Sequence, residues 1–346
     1  QNIGNGSYST ADPYVKKVWD GRYTGIRMCN ELLENIDRVP DLDPELKKRY
    51  IGEAKVLRAY NYYELYTKFG DVPYTTKVLS IKESMSIART AKATVIANVL
   101  ADLDEVINGN YLPTSYDADN KGRITRWAAM AIKAKIYLFE GNWTQVKNIT
   151  STIMTEGGFK LFESYAGLFE IANEYNSEVI LDAQYRPTSR EHQMMYVFLP
   201  PTLGGYSQLS PLQELVDSYI MLDGKTIKET GTSFDESHPY ANRDPRLKAT
   251  VMYTGNSYTL ADGTEVVINC EKGEGKDGYG VGSDCSATGY YIKKYWDNTY
   301  RATLYSGLNP ILIRYADILL MNAEALAELG ELDKTAWDAT IKPIRD

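Results

Sequence analysis

Apolar positions recur every three or four residues through the first 158 residues, and that regularity fades afterwards. The first run covers residues 13–37, with Val18, Ile26, Leu32, Leu33 and Ile36 at helical spacing. Val39-Pro40-Asp41-Leu42-Asp43-Pro44 interrupts it, because a proline pushes the residue before it out of helical geometry. Asp43 then offers an N-cap and Pro44 a first helical position, which predicts a second helix over 44–68. That helix is apolar on several sides (Ala54, Val56, Leu57, Tyr60, Tyr63, Leu65, Tyr66), the mark of a helix packed between neighbours. Phe69-Gly70-Asp71-Val72-Pro73 stops it. Further helices are predicted over 93–107, over 125–140 with Gly141 as its stop, and over 143–156 before Gly157-Gly158.

From 159 to 307 the helical runs shorten, and Gly, Pro and Tyr become frequent. Only 211–221 reads as a clear helix there, with short strands expected at 179–184, 248–253, 265–268 and 290–295. Helices return over 311–329 and 333–345. Two stretches read as copies of one unit: AKIYLFEG from Ala134 to Gly141 and AEALAELG from Ala323 to Gly330. In each, a small residue precedes the closing glycine at the same interval, and a second helix follows. This is the logic of a tetratricopeptide repeat, in which small residues let two helices approach and units stack to bury a shared face. The pattern predicts a mostly α fold: a tetratricopeptide-like scaffold of helical pairs with an irregular, loop-rich insertion carrying a few short strands. The expected segments are 1–158, 159–307 and 308–346.

Composition narrows the function. Hydrophobic residues make up 43% and charged residues 24%, which places the chain among globular proteins and not disordered ones. No stretch reaches the roughly 18 apolar residues of a membrane helix. A net charge of −8 argues against a nucleic-acid partner. The 28 Tyr outnumber 7 Phe and 5 Trp, and a residue with an apolar face and a polar tip suits half-buried surfaces and binding sites. Most of these Tyr are expected in helix seams. Cys29 falls in a helical run as a buried thiol. Cys270 and Cys285 flank a glycine-rich loop; a disulfide closing it and two unpaired thiols are both open readings. The chain starts at Gln1 without a basic segment and apolar run, so it is either cytoplasmic or has lost a targeting segment.

Catalytic signatures are lacking. Gly224-Lys225-Thr226 has Tyr219 where a phosphate loop needs its first glycine. Gly278, Gly280 and Gly282 alternate without dinucleotide spacing. Asp117-x-Asp119-x-Lys121-Gly122 fails as a calcium loop at Lys121 and at Ala128. His192 and His238 lie in different loops, and there is no HExxH or GxSxG. A cofactor, a metal and catalysis are therefore not expected, although paired carboxylates for glycoside hydrolysis leave no sequence signature.

Several blocks, in order, carry a resemblance. Asn30-Glu31-Leu32-Leu33, Gly52-Glu53-Ala54-Lys55-Val56-Leu57-Arg58-Ala59 and Phe69-Gly70-Asp71-Val72-Pro73 come first. Pro211-Leu212-Gln213-Glu214-Leu215-Val216-Asp217-Ser218-Tyr219 with Asp223-Gly224, then Asn242-Arg243-Asp244-Pro245-Arg246-Leu247, then 313–325 (IRYADILLMNAEA) follow. Together they resemble the SusD/RagB family of outer-membrane nutrient-binding lipoproteins. The resemblance implies a surface protein that binds oligosaccharides, or peptides in some relatives, without catalysis. It implies a place as a lid over a SusC-like TonB-dependent transporter, with the membrane met only through a lipid anchor. Family members usually begin with a lipidated Cys and continue past the last helix, so the chain is expected to be truncated at both ends. A helical-repeat adaptor for other proteins is the competing class, and it would show regular repeats through 159–307. Arg58 and Glu53, like Arg314, Asp317 and Glu324, are expected to make packing contacts. Asp244-Pro245-Arg246 is expected to be a turn.

A sugar ring has apolar C–H faces and a hydroxyl rim, so it stacks on aromatics while Asn, Asp, Arg or Gln take the hydroxyls. Aromatics on irregular segments are the better candidates, since helix aromatics have core roles. The richest stretch holds Tyr185, Arg186, Arg190, His192, Tyr196, Phe198 and Tyr206. Tyr8 with Asn5 is a second group, and Trp296 with Asp297 and Tyr300 a third.

Overall fold

The computed structural model describes residues 6–299 and 304–345; Asn5 and Tyr300 lie outside them. Helices α1 (Pro13–Asn35), α2 (Pro44–Phe69), α3 (Ile81–Ser86), α4 (Lys92–Asn108), α5 (Arg126–Phe139) and α6 (Trp143–Glu156) come first. Strand β1 (Val179–Asp182) and short helices α7 (Met194–Phe198), α8 (Gln213–Ser218) and α9 (Pro245–Thr250) follow. Then come β2 (Val251–Met252), β3 (Ser257–Thr259), β4 (Glu265–Val267), β5 (Tyr291–Ile292) and β6 (Ile311–Arg314). Helices α10 (Tyr315–Glu328), α11 (Lys334–Thr340) and α12 (Lys342–Arg345) close the chain. The residues form two compact units, 1–161 with 313–346, and 162–312.

In the first unit the helices pack in sequence, α1 on α2, α2 on α4, α4 on α5 and α5 on α6, with α10 against α6 and α5. Caps explain where they begin. Asp43 accepts from the Leu46 N–H and Thr125 from the Ala128 N–H, satisfying donors that a helix start leaves free. Gly70 ends α2 at φ 67°, and Asp71 then accepts from the Lys92 N–H at 2.8 Å, capping α4 across the turn. One pentapeptide thus stops one helix and starts another. Gly141 (φ 69°) and Gly330 (φ 71°) close the two look-alike units in the same left-handed conformation. The small residues before them, Ala134 and Ala323, are buried, and the helices that carry them both pack on α6.

Arg58, Asn30 and Glu53 of the shared blocks make structural contacts, and Asp317 accepts from the Arg314 N–H at 2.8 Å, whereas Glu324 is exposed. Arg58 is 4% exposed and donates to Asp102 through Nε (3.0 Å) and Nη2 (2.7 Å), and to Asn30 Oδ1 through Nη1 (2.9 Å). Asn30, fully buried, donates to the carbonyls of Thr75 and Lys77. Glu53 receives a two-point contact from Arg123 at 2.8 and 2.5 Å. The buried Arg58 charge is thus paired and the buried Asn30 amide bonded, which is what makes their burial tolerable.

The second unit is built differently. β2 pairs antiparallel with β5 and β3 with β4, in register Val251↔Ile292 and Tyr258↔Val266. Met195, Phe198, Leu199, Met252, Tyr258, Ile268, Cys270 and Tyr291 form its main core. The fully buried Tyr258 and Tyr291 therefore sit on strands, not in helix seams as the composition suggested; Tyr62 and Tyr66 on α2 do fit that reading. Arg243 joins two of the sequence blocks: it is 6% exposed and donates to the carbonyls of Val216 and Tyr219 at the end of α8 and to Pro239. A helix end leaves such carbonyls without partners, and one guanidinium satisfies them.

Three segments differ from expectation. Residues 248–250 are helical, because Asp244 caps and Pro245 opens α9; the β-branched composition holds only from Val251. Asp244-Pro245-Arg246 is accordingly a helix start, with Arg246 clasping Asp244 Oδ1 at 3.0 Å. Residues 311–314 are a strand that leads into α10, and 211–221 holds only the six-residue α8. Cys270 and Cys285 are free thiols, the second of the two readings left open by the sequence. Cys270 sits in the apolar core, where burial pushes its pKa up to about 12, while the Cys285 Sγ meets the Lys276 carbonyl at 3.3 Å. Alkylation of the native protein is expected to label Cys285 and to spare Cys270 and Cys29 until denaturant is added. Labelling of Cys285 only after reduction would contradict the assignment.

Candidate functional site

The chain between α7 and α8 folds back on α7. The Tyr206 N–H donates to the Tyr196 carbonyl at 2.9 Å, and the Leu209 N–H to the Val197 carbonyl at 2.9 Å. The turn at 201–203 is held from far along the chain: Asp277, 4% exposed, accepts from the Thr202 N–H (2.8 Å) and hydroxyl (2.6 Å). These ties place the Tyr206 ring on the Tyr196 ring with centroids 4.2 Å apart and a 31° tilt. Tyr196 packs its inner side on the main core, while Tyr206 stays 39% exposed. The result is an aromatic platform with an anchored base and an open face. Burial, then the neighbouring Tyr206 phenol and the Asp284 carboxylate, raise the Tyr196 pKa, so its hydroxyl is a neutral donor and acceptor at ordinary pH. Asp284 adds an acidic group close to this pair.

Gly205 makes the stack possible. A Cβ there would lie 2.1 Å from the Leu199 carbonyl oxygen. Gly205→Ala is expected to push the loop off α7 and cost about 1–3 kcal/mol, read as a lower urea midpoint for the variant. A variant as stable as the wild type would show that the loop has room.

The other expected residues separate into groups. Tyr185 meets His192 edge-on at 4.6 Å, and the Arg190 guanidinium lies 5.6 Å from the Tyr185 ring. His192 itself is structural: Nε2 bonds the Leu308 carbonyl at 2.8 Å and Nδ1 accepts from the Met194 N–H at 3.2 Å. Arg190 and Arg186 stand exposed at a tight turn. Phe198 is a correction: at 2% exposure its ring fills the core beneath α7 and offers no face to a ligand. Asp297 is also 2% exposed and holds the Ser306 hydroxyl at 2.5 Å. Trp296 packs on Tyr258 (5.0 Å), donates to the Thr259 carbonyl (2.8 Å) and lines a separate cleft. Tyr8 is exposed and belongs to the first unit. The supporting Asp277 and Asp284 were not legible beforehand, because nothing local marks a contact across more than 70 residues.

Comparison with known proteins gives the decisive observation. Residues 167–346 match the family model described as "SusD family", and residues 2–138 match a second model, "Starch-binding associating with outer membrane". The chain belongs to the SusD family. Among SusD-like relatives, protein P25 of Formosa agariphila is 32% identical over 166 residues, which cover 48% of this chain and 31% of that protein. Protein P38 of the same organism is 25% identical over 334 residues, covering 90% of this chain and 59% of that one. A SusD-like carbohydrate binding protein from Bacteroides fragilis superposes with a TM-score of 0.87 at 25% identity, over 98% of this chain and 66% of that one. A second SusD-like protein from that species superposes at 0.80 with 27% identity, over 96% and 68%. The chain thus spans about a third to three fifths of the curated SusD-like relatives just named, and its mostly helical architecture is that of the solved SusD-like structures.

Proposed function

We propose that this chain captures oligosaccharides at the bacterial surface and does not process them. The ligand stacks on the open face of Tyr206, which the Tyr196 ring backs. Asp284, close to this pair, is a polar group suited to sugar hydroxyls; Tyr185 and Arg190 form a separate candidate group. The observation that carries the reading is the exposed, anchored tyrosine stack on an irregular segment. A pre-set aromatic plane binds the C–H face of a sugar with little ordering cost. Family membership supports it, as does the carbohydrate binding stated for the Bacteroides fragilis relative. In this reading the protein is held at the outer membrane by a lipid anchor, which family membership supports. There it hands its glycan to a SusC-like TonB-dependent transporter.

A glycan array with the purified chain, paired with a reducing-end assay on each bound glycan, tests this. Binding without release of reducing ends is expected. Release of reducing ends would make the protein a hydrolase, and binding of peptides in place of glycans would move it to a RagB-like role.

A further inference from the structure

The cleft at Trp296 shares no lining residue with the tyrosine stack and has a different chemistry. It encloses about 280 Å³ within the second unit, formed by the start of α9, the 293–296 segment and the 166–170 turn. Its lining includes the aromatic rings of Phe169, Tyr295 and Trp296, and Lys248, Lys293 and Lys294 against the single carboxylate of Glu170. Three lysines less one glutamate leave it at +2 in a chain whose net charge is −8. Lys294 lies 3.9 Å from the centre of the Phe169 ring, and the Lys293 ammonium donates to Asn256 Oδ1 at 3.1 Å. Burial, then the nearby charge of Lys248, lowers the Lys293 pKa, while Glu265 opposes this. The Glu265 carboxylate is already engaged by the Ser257 and Thr259 hydroxyls. Two lysines that line one concave, partly aromatic site and feel each other's charge leave a place for an anion. The volume falls just under the range of small-molecule sites, roughly 300–1,000 Å³, and so admits one sugar residue and not a whole chain.

We propose that this cleft binds an acidic sugar residue, with its anionic group between Lys248 and Lys293 and its ring against Trp296. The proposal rests on the glycan-binding reading and adds a substrate class to it: chains bearing carboxylate or sulfate groups. Both anions accept hydrogen bonds from paired ammonium groups, so the two sources share one chemistry.

Calorimetry at low salt with three probes separates the outcomes: a neutral glucan oligosaccharide, an oligogalacturonate and a sulfated dextran oligosaccharide. At least one acidic probe is expected to bind the wild type. Lys248→Gln is expected to weaken that binding about fivefold and to leave any neutral binding unchanged. Lys228→Gln removes the same charge from an exposed position outside the cleft and serves as control. Lys293→Gln repeats the test should the first variant lose its cooperative melt. Neutral binding without acidic binding overturns the proposal and leaves the glycan reading intact, as does equal weakening by Lys248→Gln and Lys228→Gln. Failure of every glycan overturns both.

Discussion

Tyr206→Ala lowers oligosaccharide affinity about tenfold, with no loss of fold stability beyond a few tenths of a kcal/mol. The affinity term follows from removing a stacking plane that is worth about 1 kcal/mol beyond the apolar area it covers. The stability term stays small because Tyr206 is 39% exposed and its main support, the hydrogen bond from its backbone N–H to Tyr196, survives the change. Tyr206→Phe separates the two functions of the side chain. It keeps the plane and loses the hydroxyl, so affinity falls only a few-fold, by about one net hydrogen bond at most. Titration calorimetry with a neutral glycan reads both variants. Equal affinity for Tyr206→Ala and wild type would remove the platform from the account. Phe198→Ala is the informative contrast, since it acts on the core: it costs about 3–5 kcal/mol of stability at a 2% exposed site and gives no direct information on stacking.

Arg58→Ala destabilises the first unit by about 3 kcal/mol, because it leaves the mostly buried Asp102 charge with only the longer Lys55 contact at 3.8 Å and Asn30 Oδ1 without a donor. Replacing Arg58 with Met and Asp102 with Leu together removes the under-compensated charge and recovers part of that loss, since Asn30 Oδ1 still lacks its donor. Urea unfolding monitored by circular dichroism gives both values. A single substitution costing under about 1 kcal/mol would mean that the pair is solvated and that its place in the sequence block has another cause. The same logic explains why the block residues that look most chemical on paper are not ligand contacts. Arg58, Glu53 and Arg243 all spend their donors and acceptors on helix packing or helix ends.

Local signals made the first unit legible. Asp43-Pro44, Thr125, Gly70 and Gly141 mark helix ends by rules that act within four residues, so the structure's boundaries fall within a residue or two of those read. Where a local rule conflicted with composition, composition misled. Val251 and Met252 are strand, but the three residues before them follow the Asp244 cap into α9, and Ile311–Arg314 is extended although its apolar run continues into a helix. The site was legible only as a list of aromatics. Nothing in the spacing of Tyr196 and Tyr206 says that they stack, and nothing near Phe198 says that its helix turns it inward. Those outcomes depend on Asp277, on Gly205 and on a core assembled from β3 and β5, all of them contacts made across the fold.

A crystal structure of the chain with the tightest neutral oligosaccharide from the array tests the central claim most directly. The account predicts a sugar ring in van der Waals contact with the outer face of Tyr206, with Tyr196 still stacked behind it. A sugar seated elsewhere with the Tyr206 face bare would contradict it.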